Sequence, residues 1–124
     1  MQPIQLFKLA SQQAQWLSVR QTVVAGNIAN VNTQGYAAKD VESFKAVLDS
    51  SSKMAATNPG HFSSDGARGR IRSNEINGIA VNPSGNNVNL ANEISKGSGI
   101  KRAYEINTGI VKTMNRMMMA TLGK

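Results

Sequence analysis

Apolar residues between positions 4 and about 31 recur at helical spacing. Ala10, Ala14, Leu17, Val24, Ile28 and Val31 form one stripe, interrupted by Gln21. Leu6, Leu9, Trp16 and Val23 form an adjacent stripe, with Gln13 and Arg20 between them. The combined face is wider than a two-stranded seam needs, so the predicted helix touches more than one neighbour. Helical period returns over 88–122. Leu90, Ile94, Tyr104, Val111, Met118 and Leu122 share a stripe, and Ile100, Ala103, Ile110, Met114 and Met117 lie beside it. Asn87 or Asn89 can cap this second helix, and Glu93 near its start suits the helix dipole. Gly97, Gly99 and Gly109 interrupt it, each at a cost of about 1 kcal/mol against Ala. The Gly97-Ser98-Gly99 run reads either as a kink or as a close approach of a second backbone, for which Ala25, Gly26 and Ala29 are available.

Between the helices the pattern changes. Residues 32–48 read as a turn followed by a short segment in which Phe44, Val47 and Leu48 keep helical spacing. Residues 49–87 are punctuated by Ser50-Ser51-Ser52, Asn58-Pro59-Gly60, Ser63-Ser64-Asp65-Gly66 and Asn82-Pro83-Ser84-Gly85, which mark loops. Asn77-Gly78 could turn a small β-hairpin. The chain therefore divides into a helix at 1–31, a turn and short segment at 32–48, a polar linker at 49–87 and a helix at 88–124. The expected fold is all-α: a coiled-coil-like antiparallel pair of long terminal helices joined by a largely irregular linker. A lone pair leaves much of both faces in water, so other chains must supply the cover. Identical chains that dock through non-matching surfaces build an open helical array unless the rotation closes.

Composition narrows the chemistry. With 124 residues, one Trp, two Tyr and three Phe, there is little bulk for a large core. The net charge of +7 favours anionic neighbours. The cations are scattered, however, and no aromatics interleave with Arg68, Arg70 and Arg72 as base stacking would need. Nucleic acid is thus a disfavoured partner, and a basic helical nucleic-acid module stays only as an alternative. A peripheral membrane protein held by the Met-rich C-terminal helix is another. There are no cysteines. His61 is the only histidine and has no partner at metal or triad spacing. Asp40, Glu42 and the other carboxylates are dispersed, and Gly66-Ala67-Arg68-Gly69 is too short for a phosphate loop. No enzyme activity, cofactor, metal or small-molecule substrate is expected. Met114, Met117, Met118 and Met119 suit adaptable helix packing. The first residues lack a basic leader with an unbroken apolar run, so no Sec-type signal is expected.

The densest local signal is Asn27-Ile-Ala-Asn-Val-Asn-Thr-Gln-Gly-Tyr36, where the first helix runs into amides, a glycine and an aromatic. Asn and Gly end helices well, because the amide competes for backbone groups and Gly accepts left-handed dihedrals. The stretch resembles the N-terminal signature of bacterial flagellar rod and hook proteins, Asn-[Ile/Leu]-Ala-Asn-x-x-Thr-Pro-Gly-[Tyr/Phe]. Gln34 stands where that family commonly has Pro, and Ala37 where a basic residue often follows. Gly85-Asn86-Asn87-Val88-Asn89 followed by Glu93 resembles the family's Gly-Asn-x-Val-Asp-x-x-x-Glu entry to the last helix, and the run from Lys101 to Asn107 resembles that helix. Thr57 to His61 and Tyr36 to Phe44 resemble the proximal, type B branch of the basal-body rod proteins.

The resemblance implies a structural subunit of the proximal rod that assembles helically and transmits torque. Its implied partners are copies of itself, other rod proteins, the membrane ring with its adaptor, and the export apparatus. It implies a periplasmic place in the basal body, reached by type III export with no cleaved signal. Trp16, Leu17, Val24 and Ile28 are expected to pack on Tyr104, Val111, Met114 and Met118, with Asn27, Asn30, Gly35 and Tyr36 fixing the turn. Phe44 to Leu48 resembles an export-gate recognition element.

Overall fold

The computed structural model describes residues 3–51, 71–76 and 81–123. His61, the Thr57 to His61 element, Arg68, Arg70 and the Asn77-Gly78 turn lie outside them. Helix α1 spans Pro3–Ala29, strand β1 Lys39–Val41, helix α2 Phe44–Ser51, strand β2 Ser73–Glu75 and helix α3 Leu90–Thr121. Two long terminal helices, the short α2 and a minimal two-stranded sheet make up the described architecture. Pro3 opens α1, where a missing N–H costs nothing and the fixed φ suits the helix. Asn89 caps α3: its backbone is extended and its side chain accepts the Asn92 N–H at 3.2 Å.

The helices run antiparallel. Asn27 meets Glu93 at 3.0 Å, and Asn107 donates to the Ala10 carbonyl at 2.9 Å. Between these ties Leu17, Val24 and Ile100 form the buried cluster, and Trp16, Ile28 and Ala103 pack against it. The seam keeps a seven-residue repeat on both sides. Ala10, Leu17 and Val24 face Glu93, Ile100 and Asn107, and all six are buried.

This register corrects the expected pairing. Residues 16–28 of α1 meet the first part of α3, with Tyr104 at the edge of the contact beside Leu17, and not Val111, Met114 and Met118. Two buried polar ties fix the stagger, and apolar periodicity alone carries no information about stagger. Seven residues of α1 precede Ala10, about 10 Å of helix, whereas α3 continues about 21 Å from Asn107 to Thr121. The last turns of α3 therefore overhang the start of α1.

A further expectation is settled by position. Helix α3 runs unbroken through Gly97 and Gly99, and a Cβ at Gly97, Gly99 or Gly109 would meet nothing within 4 Å. The expected approach to Ala25–Ala29 is absent because the register sets Gly97 beside Ser18 and Gln21 instead. The two described strands are distant in sequence. Lys39, Asp40 and Val41 pair with Glu75, Asn74 and Ser73, more than thirty residues further along the chain. Glu42 N–H to Arg72 O (2.9 Å) and Ile76 N–H to Ala38 O (2.8 Å) extend the ladder at both ends.

Candidate functional site

The residues of the Asn27–Tyr36 stretch and those of Gly85–Asn89 meet in space and close on each other. Helix α1 ends as Asn30 returns both its backbone N–H (3.1 Å) and its side-chain amide (2.8 Å) to the Gly26 carbonyl. The Tyr36 N–H then reaches the Thr33 carbonyl at 3.3 Å, closing a four-residue turn with Gly35 at φ 70°. That is a type II arrangement, which needs a positive φ at its third residue and favours Pro at its second. Gln34 occupies the second position.

The second segment lies across this turn. Gly85, at φ 79°, approaches so closely that a Cβ there would sit 3.4 Å from the Gly35 Cα. The Gly35 N–H donates to the Ser84 carbonyl at 3.0 Å. The Asn86 side chain, 1% exposed, donates to the Asn30 carbonyl (2.8 Å) and the Thr33 carbonyl (2.7 Å) and accepts the Val88 N–H (2.8 Å). Asn87 accepts the Ala38 N–H at 2.6 Å and donates to the Ile76 carbonyl at 3.2 Å. These amides serve as backbone partners for a chain that has no regular structure to supply them.

At the centre sits Asn27, with no exposed surface. Its amide nitrogen donates to the Lys39 carbonyl (2.7 Å) and to Glu93 Oε2 (3.0 Å). Its oxygen accepts from the Lys39 N–H (3.0 Å) and the Tyr36 hydroxyl (3.4 Å). That uses the full capacity of one primary amide. An Asp at this position would turn an acceptor toward a carbonyl and a carboxylate, so the amide is chemically required.

An ionic chain runs outward from this point. Glu93, 2% exposed, also takes Lys96 Nζ at 3.0 Å, and Lys96 reaches Asp40 at 3.4 Å. Arg20 grips Asp40 with two bonds of 3.1 and 3.2 Å. Burial opposes ionisation of Asp40. The Arg20 hydrogen bonds, the Val41 N–H and the charges of Arg20 and Lys96 outweigh it and hold its pKa below the ordinary value. The Arg20 guanidinium lies 5.4 Å from the Trp16 ring, whose N–H donates to the Glu42 carbonyl at 2.7 Å. Phe44 tilts against the same indole at 5.9 Å, so α2 is docked on α1 through Trp16. Among the described residues every buried side-chain nitrogen and oxygen has a partner. No group of three or more His, Cys, Asp and Glu residues among the described residues could hold a metal ion.

The sequence-derived residues separate into two groups. Asn27, Asn30, Gly35 and Tyr36 come together in this clasp. Trp16, Leu17, Val24 and Ile28 line the seam beside it, and Phe44 and Leu48 are half-buried in α2. Tyr104 stays 49% exposed on the rim of a groove shared with Leu17, and Val111, Met114 and Met118 lie farther along α3, partly covered. Sequence reasoning missed the roles of Asp40, Asn86, Glu93, Lys96 and Asn107. The signal for Glu93 and Asn107 was available: they stand seven residues on either side of Ile100.

A clasp of this kind, with apolar helix surface beyond it, suits an assembly subunit. The family model described as flagella basal body rod protein matches residues 10–36, most of α1 and its closing turn. The flagellar basal body rod protein FlgB of Agrobacterium fabrum is 51% identical over 128 aligned positions, covering 98% of this chain and 96% of that protein. The chain belongs to the FlgB family of flagellar basal body rod proteins. It is a structural subunit of the basal-body rod and assembles there with other basal-body components.

Proposed function

We propose that the chain is a building block of the proximal rod, laid down helically with copies of itself and other axial proteins, and that it carries torque through packed contacts without catalysis. The supporting observation is apolar surface on α3 that the chain itself does not cover: Leu90, Ile94, Tyr104, Ile106, Ile110 and Met117 are 44–58% exposed, and Leu122 just past the helix is 69% exposed. Burying half of such a side chain contributes about 1 kcal/mol. Several such ridges per subunit, repeated through a polymer, give a cooperative and stiff assembly.

The same proposal places the subunit in the periplasmic part of the basal body, reached by type III export with an uncleaved N-terminus. The membrane ring and its adaptor are its neighbours at the inner end. Phe44 to Leu48 would serve the export gate, a role that requires α2 to leave Trp16. Asn27, Asn30, Gly35 and Tyr36 set the angle at which the pair meets its neighbours, and Tyr104, Val111, Met114 and Met118 act as contacts between subunits. Neither the nucleic-acid nor the membrane alternative gains a supporting observation. Among the described residues no helix is long and apolar enough to cross a bilayer.

Imaging of basal bodies from a strain lacking the gene tests the proposal. Rods should be missing beyond the membrane ring, and a plasmid copy should restore them. Complete rods in the deletion strain would refute it.

A further inference from the structure

Helix α3 has four sides, and three of them face away from α1. At about 100° per residue, Leu90, Ile94, Tyr104 and Leu122 form one apolar ridge. They are 44–69% exposed. Ile106, Ile110 and Met117 form a second ridge on the opposite side, about 170° away. These are 46–58% exposed. Arg102 and Arg116 lie between the ridges, facing away from the buried Glu93, Ile100 and Asn107, and Lys101 and Lys112 stand on the adjoining edge of the first ridge beside Leu90 and Ile94. All four are exposed, and none is ion-paired with a described residue. Glu105 is the one carboxylate on that strip.

We infer that the outer side of α3 seats in a concave, acidic surface of a different protein. This deepens the rod-subunit reading and rests on it. Two large apolar ridges need cover, and the strip between them is cationic, so the cover must present carboxylates between two apolar walls. A flat bilayer reaches one ridge at a time and leaves the other in water; a groove formed by two or more elements reaches both. A second copy of this chain is a poor fit. Its outer strip carries the same cations, and like charges set face to face cost several kcal/mol. Its described carboxylates outside α3 are Asp40, Glu42, Asp49 and Glu75, of which Asp40 and Asp49 already hold cations.

The test uses the full-length chain in a strain lacking the chromosomal copy. Three forms are supplied: the unaltered protein, Lys112→Glu with Arg116→Glu, and the charge-keeping pair Lys112→Arg with Arg116→Lys. The amount in purified basal bodies is measured by immunoblot. Helix content of each purified form is checked by circular dichroism, and binding to phosphatidylglycerol-containing vesicles by co-sedimentation. The charge-reversed form should fall about tenfold in basal bodies at unchanged helix content, with the charge-keeping form at the unaltered level. Suppressors of the reversal should be Asp→Lys or Glu→Lys changes in another basal-body protein. Incorporation indifferent to reversal would overturn the inference. So would suppressors confined to this chain, which would mean a second copy, or a reversal that abolishes vesicle binding alone, which would mean a bilayer. If the unaltered protein is itself absent from basal bodies, the rod reading fails instead.

Discussion

The two ends of the helix pair solve the problem of covering their surfaces in opposite ways. At the clasp end, Asn27, Asn86 and Glu93 are each at most 2% exposed, and every hydrogen-bonding group among them has a partner in the same chain. At the far end, Ile110 at 46% and Met117 at 52% exposed lie on a side of α3 that faces away from α1. The clasp uses polar groups whose geometry is directional, so it fixes stagger and angle. The far end uses Met and aliphatic side chains, which adapt to irregular neighbours. One end defines the shape of the subunit; the other is unfinished until a partner arrives.

Removing Glu93 gives the largest effect at the closed end. Glu93→Ala leaves Lys96 and the Asn27 amide short of a buried partner and should cost about 3 kcal/mol, read as a lower urea midpoint. Because two terminal helices give a modest core, that loss should also reduce helix content. A midpoint shift below about 0.5 kcal/mol would show that the clasp does not hold the pair.

At the open end the pattern should invert. Ile110→Asp should leave the urea midpoint of the isolated chain within about 0.5 kcal/mol, since the residue is already half in water. It should nevertheless block incorporation into basal bodies and motility. Leu17→Asp cannot make this distinction, because Leu17 is 2% exposed and its loss breaks the pair itself.

Smaller changes resolve the clasp. Gly85→Ala forces a non-glycine residue to φ 79° and presses a methyl on Gly35, so it should cost more than Gly35→Ala, for which no atom stands near the new Cβ. The left-handed conformation alone costs about 1–2 kcal/mol, and the difference between the two variants measures the close approach. Gln34→Pro should work the other way. It fits the second position of the turn and should raise stability by about 0.4–1 kcal/mol by restricting the unfolded chain. A destabilised proline variant would mean that the turn is not of the type drawn from Gly35.

These sites also mark how far the sequence could be read. Both long helices, the α2 segment and the turn at Asn27–Tyr36 announce themselves locally, through apolar period or helix-ending residues. The clasp does not. Asn27 and Glu93 are 66 residues apart, and each looks in isolation like an ordinary polar residue near a helix end. The pairing of Lys39–Val41 with Ser73–Glu75 is hidden for the same reason: three-residue strands carry almost no alternation. The stagger was misjudged because Met114 and Met118 look like core. The Asn27–Glu93 and Asn107–Ala10 bonds show that α1 has nearly run out by then.

Amide hydrogen exchange along α3, measured on the isolated protein and again on purified basal bodies, bears most directly on the contrast between the ends. In the free protein, amides near Glu93 and Ile100 should exchange far more slowly than those near Arg116 and Met119, and only the latter group should gain protection on assembly. Equal protection along the whole helix in the free protein, with no gain in the basal body, would contradict the claim that this subunit completes its burial inside the polymer.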